Sequence, residues 1–130
     1  MSNDVLNQIQ LGTKISPNLF STVAEDAAKM CSASKDKNKV SQIRKFYDEL
    51  VLWENRVTFA DNPAEKFEEV APYIQMLKAK VSYASGRQLV TSEFKDLLVT
   101  LISEVKNPVT LKQAKLFFEA FIGFRKALEK

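Results

Sequence analysis

The side chains best suited to chemistry lie in the run PYIQMLKAKVSYASGR, Pro72 to Arg87. Wound as a helix, this run sets Tyr73, Met76, Lys80, Tyr83 and Arg87 on one stripe at three- and four-residue steps, alternating cationic heads with aromatic rings. No Asp or Glu occurs from Val70 to Ser92, so nothing local neutralises Lys78, Lys80 or Arg87. A helix presenting such groups outward can grip a polyanion through its charged heads. A second basic stretch, Lys35 to Lys45, holds Lys35, Lys37, Lys39, Arg44 and Lys45 against the acid Asp36. The competing account is ordinary solvated surface. Arg44 faces Asp48 and Lys45 faces Glu49 at i,i+4, pairs worth about 0.3–0.5 kcal/mol when exposed. A net charge of +3 does not choose between the two.

Catalytic chemistry finds little to work with. The 130-residue chain has no histidine, which removes the commonest general base and the commonest metal ligand. Its single cysteine, Cys31, makes no zinc site and no internal disulfide, and fits a reducing cytoplasm. Set among Ala27, Ala28 and Met30, it reads as a small buried thiol. Carboxylates such as Asp48/Glu49 and Glu68/Glu69 are adjacent rather than one helical turn apart, and no glycine-rich phosphate loop or EF-hand occurs. The expectation is a non-enzyme without metal or cofactor. No apolar run approaches a membrane span, and the start MSNDVLNQIQ lacks the basic and apolar regions of a signal peptide, so a cytoplasmic protein is expected. Two classes stay open: a nucleic-acid-binding module, and a helical protein–protein adaptor without RNA affinity.

The elements that must position these residues are helical. Hydrophobic residues make up 45% and charged residues 27%, while only 3 glycines and 4 prolines leave little material for hairpins. No β-type alternation competes. Residues 1–15 read as a loosely ordered arm, followed by a helix opened by Ser16-Pro17 and running to Ser32. The next helix spans Val40 to Phe59, with Ile43, Phe46, Tyr47, Leu50, Trp53 and Val57 inward; Tyr47 and Trp53 are assigned to the core. Asn62-Pro63-Ala64-Glu65 caps a third helix, which Pro72 should kink or break near Val70–Ala71. The helix after Pro72 buries Ile74, Leu77, Val81 and Ala84, and Gly86 reads as its left-handed cap. Thr91 or Ser92 opens a helix to Lys106. Thr110 with Gln113 reads as a capping box for the last helix, which carries Phe117, Phe118 and Phe121. The fold class is an all-α single domain, a compact bundle of five to six helices.

Three segments in this order carry a resemblance: Ser41-Gln42-Ile43-Arg44-Lys45-Phe46-Tyr47, then LKAKVSYASGR from Leu77 to Arg87, then Phe117-Phe118-Glu119-Ala120-Phe121. From about Val40 to Arg125 the chain resembles the small helical subunit of type III-A CRISPR interference complexes, the Csm effector. The related type III-B small subunit is the alternative within the same biology. The resemblance implies a non-catalytic subunit in antiviral defence that stacks with copies of itself. It would lie beside the backbone and large subunits, holding guide RNA and target RNA through phosphates and sugars. Within that role the charge and stripe pattern puts Lys80 and Arg87 first for RNA contact, with Arg44 and Lys45, then Lys78, Lys39 and Arg56; Gln42 as a donor, Tyr83 as a stacking ring and Arg125 complete the expected set. Val51, Leu52 and Phe124 are candidates for the contact between copies.

Overall fold

The computed structural model describes residues 2–129 as an all-α bundle, with no strand among them. Its helices are α1 (Ser2–Asn7), α2 (Ala24–Met30), α3 (Val40–Thr58), α4 (Pro63–Gln75), α5 (Leu77–Gly86), α6 (Ser92–Ser103) and α7 (Pro108–Leu128). In α3, Ile43, Leu50 and Val57 recur every seven residues and are buried, which turns one stripe of a 19-residue helix onto the core. The centre of that core is aromatic: Phe94 of α6 meets Phe121 and Phe118 of α7 with ring centroids 6.0 and 6.3 Å apart. Helix α7 packs on α2 and α3, while α5 packs on α6.

A single buried asparagine ties the loops together at one end of α3. Asn38 adopts φ 60°, a left-handed conformation that Asn tolerates better than most residues. Its Oδ1 accepts from Thr91 N at 2.9 Å, and its Nδ2 donates to Thr91 Oγ1 at 2.8 Å and to the carbonyls of Cys31 and Ser32 at 3.3 Å. Its backbone N–H donates to Leu89 O at 3.0 Å, and its carbonyl accepts from Arg125 Nη2. This residue thereby locks the start of α3 to the α5–α6 turn and to α7.

Several local expectations give way to tertiary packing. The helix expected from Ser16-Pro17 begins later: Ser16 Oγ accepts from Asn18 N, and a π turn over Leu19–Val23 precedes α2. Pro72 sits within α4, exposed, and the break expected before it falls at Met76. Ile74 and Leu77, either side of that break, are fully buried, so the chain keeps its direction at the cost of one backbone bond. The left-handed residue ending α5 is Gln88 (φ 62°), not Gly86; Leu89 N bonds Ala84 O and Gln88 N bonds Ser85 O, both at 3.0 Å. The cap of α7 is Asn107 paired with Thr110.

Gln113, expected in that cap, instead clasps the N-terminal segment. It donates to Gly12 O at 2.8 Å and accepts from Gly12 N at 2.9 Å, while Leu11 N donates to Glu104 Oε1 at 3.0 Å. Gly12 holds φ +149°, a conformation other residues adopt only under strain. Ile9 is buried. The stretch expected as a loose arm thus has backbone and side-chain ties to α6 and α7.

Candidate nucleic-acid interface

Helices α4 and α5 run antiparallel to α3, and three contacts set the register. Asn38 N meets Leu89 O; Lys80 Nζ meets Glu49 Oε1 and Oε2 at 2.9 and 3.0 Å; and the Trp53 ring stacks on Tyr73 with centroids 5.6 Å apart and planes 17° from parallel. The two stripes expected from Pro72 to Arg87 separate as read. Ile74, Leu77, Val81 and Ala84 are buried, while Tyr73, Met76, Lys80, Tyr83 and Arg87 are exposed, Tyr83 by 65%. Across the groove, Gln42, Glu49 and Arg56 recur every seven residues on the flank of α3 that Lys80 reaches.

The charges here have distinct settings. Glu49 holds Lys80 and also accepts from Trp53 Nε1 at 3.3 Å, so a carboxylate absent from the local sequence arrives from α3. Arg87 donates to Tyr83 Oη at 2.9 Å and lies 5.7 Å from the centre of that ring; Arg56 lies 5.2 Å from the centre of Trp53. Neither arginine forms an ion pair among the described residues. The surface bridged by Lys80–Glu49 and Trp53–Tyr73 therefore offers two guanidinium groups, one half-neutralised ammonium group and exposed aromatic faces.

The other expected cations lie elsewhere. Lys45 stands on the outward ridge of α3, in step with exposed Leu52 and Phe59, and its expected partner Glu49 is taken by Lys80. Lys39 and Arg44 turn to the opposite flank, where with Lys126 they border a cleft of about 570 Å³ between α3 and α7. Asp36 lies 3.8 Å from Lys39 and Asp48 lies 4.0 Å from Arg44. Lys78 is on the flank of α5 away from the exposed stripe, the side from which Gln75 reaches Ile102 O of α6 at 3.2 Å. The candidate cations are thus divided by α3 rather than gathered on one face.

Arg125 requires a correction. It is 1% exposed, donates to the Asn38 carbonyl, approaches Glu129 Oε2 at 3.5 Å, and leaves its Nε without a partner. A side chain enclosed in that way is not presented to an RNA backbone. The core assignments of Trp53 and Tyr47 also change. Both are half-buried: Trp53 forms the wall of the groove, and Tyr47 packs edge-on to Phe118 while donating to Glu119 at 3.4 Å. Burial, then Glu119, holds the Tyr47 phenol above its ordinary pKa. Sequence reasoning passed over the Trp53–Tyr73–Arg56 stack. Its only signal was that Trp53 follows Glu49 by one helical turn, on a flank rather than at the centre of the apolar stripe.

Cys31 is fully buried, and desolvation pushes its thiol from 9.0 up to about 12. Among the described residues no group of His, Cys, Asp and Glu could hold a metal ion, and no helix is long and apolar enough to cross a membrane.

The family model described as Csm2 Type III-A matches residues 14–130. No curated protein and no solved structure matches the chain. That match takes in the π turn, α2 through α7 and the whole groove between α3 and α5. The chain belongs to the Csm2 Type III-A family, the small subunit of the type III-A CRISPR complex.

Proposed function

We propose that this protein is a non-catalytic subunit that stacks with copies of itself and holds guide RNA and target RNA through sequence-independent contacts in the groove between α3 and α5. The observation that carries this reading is the exposed line of Tyr73, Met76, Lys80, Tyr83 and Arg87 facing Gln42 and Arg56, within a chain of the type III-A family. Guanidinium and ammonium groups bind phosphates by releasing counterions, which gives affinity without reading bases; sequence recognition then falls to pairing between guide and target. The aromatic faces suit unpaired bases or sugars, again without preference for sequence. Target cleavage and signalling would belong to neighbouring subunits, in the cytoplasm.

The test is RNA binding across a salt series, wild type beside a Lys80→Ala/Arg87→Ala variant, in the free protein and in a reconstituted complex. Loss of two phosphate contacts should flatten the slope of log affinity against log salt by about 1.4 for single-stranded RNA. Trp53, the only tryptophan, reports locally: RNA in the groove should change its emission. Equal slopes for both proteins inside the complex would sink the groove assignment and return the case to an adaptor bundle.

A further inference from the structure

Trp53 is held by three contacts. Its Nε1 donates to Glu49 Oε2 at 3.3 Å, the Arg56 guanidinium lies 5.2 Å from its ring centre, and Tyr73 of α4 stacks on it with planes 17° from parallel. Tyr73 itself is 54% exposed, so a ring backed by Trp53 on one face is open on the other. A ring fixed in this way by a second helix loses little freedom when a further ring is laid on it. The other exposed aromatic side chains lack that backing. Tyr83 is engaged by Arg87 of its own helix, at the ring and at the hydroxyl, and Phe59 is followed by Asp61 and Glu65, which repel a phosphate backbone. Near Tyr73 the acids are occupied: Glu49 by Lys80, and Glu69, one turn earlier, by Lys66 at 3.1 Å.

We infer that the outer face of Tyr73 is a nucleobase site. An unpaired base of the bound RNA lies flat on it and extends the Trp53–Tyr73 stack, while Lys80 takes a phosphate of the same strand. Lys80 follows Tyr73 by seven residues, about 10 Å along the helices, a separation that adjoining nucleotides of an extended strand can bridge. Met76, one turn after Tyr73 and also 54% exposed, offers an apolar edge beside the base. Trp53 and Glu49 are positioning residues here: Trp53 fixes the plane of Tyr73, and Glu49 orients the indole. Every base has a π-face, so the site asks for an unpaired nucleotide rather than a particular sequence; a paired base keeps its faces covered within the duplex. The inference rests on the RNA reading proposed above and adds which ring receives a base.

Two strands of equal length test it at low salt with the full chain: oligouridylate, and the same ribose-phosphate strand without bases. Wild type is set beside Tyr73→Ala and Tyr73→Phe, with circular dichroism to check that each variant folds. Wild type should bind oligouridylate about tenfold more tightly than the abasic strand, the worth of one stacked base. Tyr73→Ala should lose that preference, bind the abasic strand as wild type does, and keep the wild-type salt slope, because no phosphate contact is removed. Tyr73→Phe, which retains the ring, should behave as wild type. Equal affinity of wild type for the two strands overturns the inference, as does a Tyr73→Ala variant that still prefers bases or that weakens on both strands alike. Wild type that binds neither strand overturns it too. The phosphate contacts are decided separately, by the salt series of the Lys80→Ala/Arg87→Ala variant, so failure of the base site is distinguishable from failure of the RNA reading.

Discussion

Arg87 and Arg125 stand near the ends of the two helices that flank α3, and by residue type they are equal candidates for a phosphate contact. Arg87 extends over Tyr83 on the exposed surface, whereas Arg125 is enclosed beneath the Asn38 loop. The difference follows from helical phase. Arg125 comes four residues after Phe121 and seven after Phe118, so it shares the inward stripe of α7; Arg87 continues the outward stripe of Lys80 and Tyr83. A charge is therefore read correctly only together with the face it occupies. The buried arginine builds the site at a distance, because it holds the loop from which α3 starts.

The sharpest way to test that division is to remove the hub. Asn38→Ala leaves Thr91 N and the carbonyls of Cys31 and Ser32 without this partner and puts alanine at φ 60°, so a loss of about 3 kcal/mol is expected in chemical denaturation. Arg125→Ala should cost about 2–3 kcal/mol by the same measurement, through the unpaired Asn38 carbonyl and the space left behind, with the RNA salt slope of the folded fraction unchanged. Arg87→Ala should invert that pattern: stability within about 0.5 kcal/mol of wild type, and one fewer phosphate contact in the salt series. If both arginine variants behave alike in either assay, the contrast between the two regions fails.

A smaller effect bears on the electrostatics of the groove. Glu49→Gln removes the acid that engages Lys80 and should strengthen RNA binding at low salt while changing stability by no more than about 1 kcal/mol, since the pair is partly exposed. Weaker RNA binding in that variant would mean that Glu49 positions Lys80 more than it neutralises it. The smallest expected effect concerns Cys31. Its raised pKa means that the folded state holds the proton more tightly than the unfolded state does. The associated stabilisation is complete below pH 9.0 and declines as pH climbs toward about 12. Native protein at pH 8 should resist alkylation at this thiol until denaturant exposes it, as mass spectrometry would register.

Much of the molecule was legible before any coordinates. The period of Ile43, Leu50 and Val57, the cap at Asn62, and the two stripes between Pro72 and Arg87 are local properties, set by side-chain size and spacing along one helix. The order of the basic and phenylalanine-rich segments was enough to indicate the family. Three kinds of feature depended on what lies far away in the chain. Whether Pro72 broke its helix was decided by the burial of Ile74 and Leu77 on either side. Whether Lys80 was neutralised was decided by Glu49, thirty-one residues earlier on another helix. And the pairing of Trp53 with Tyr73, like the split of Lys39 and Arg44 from Lys80 and Arg87, required the antiparallel register of α3 against α4 and α5. Helical phase places a side chain on a face, and that much a sequence determines by itself. Which neighbour the face meets is decided by packing, because burial of the apolar stripes sets how the helices lie against one another.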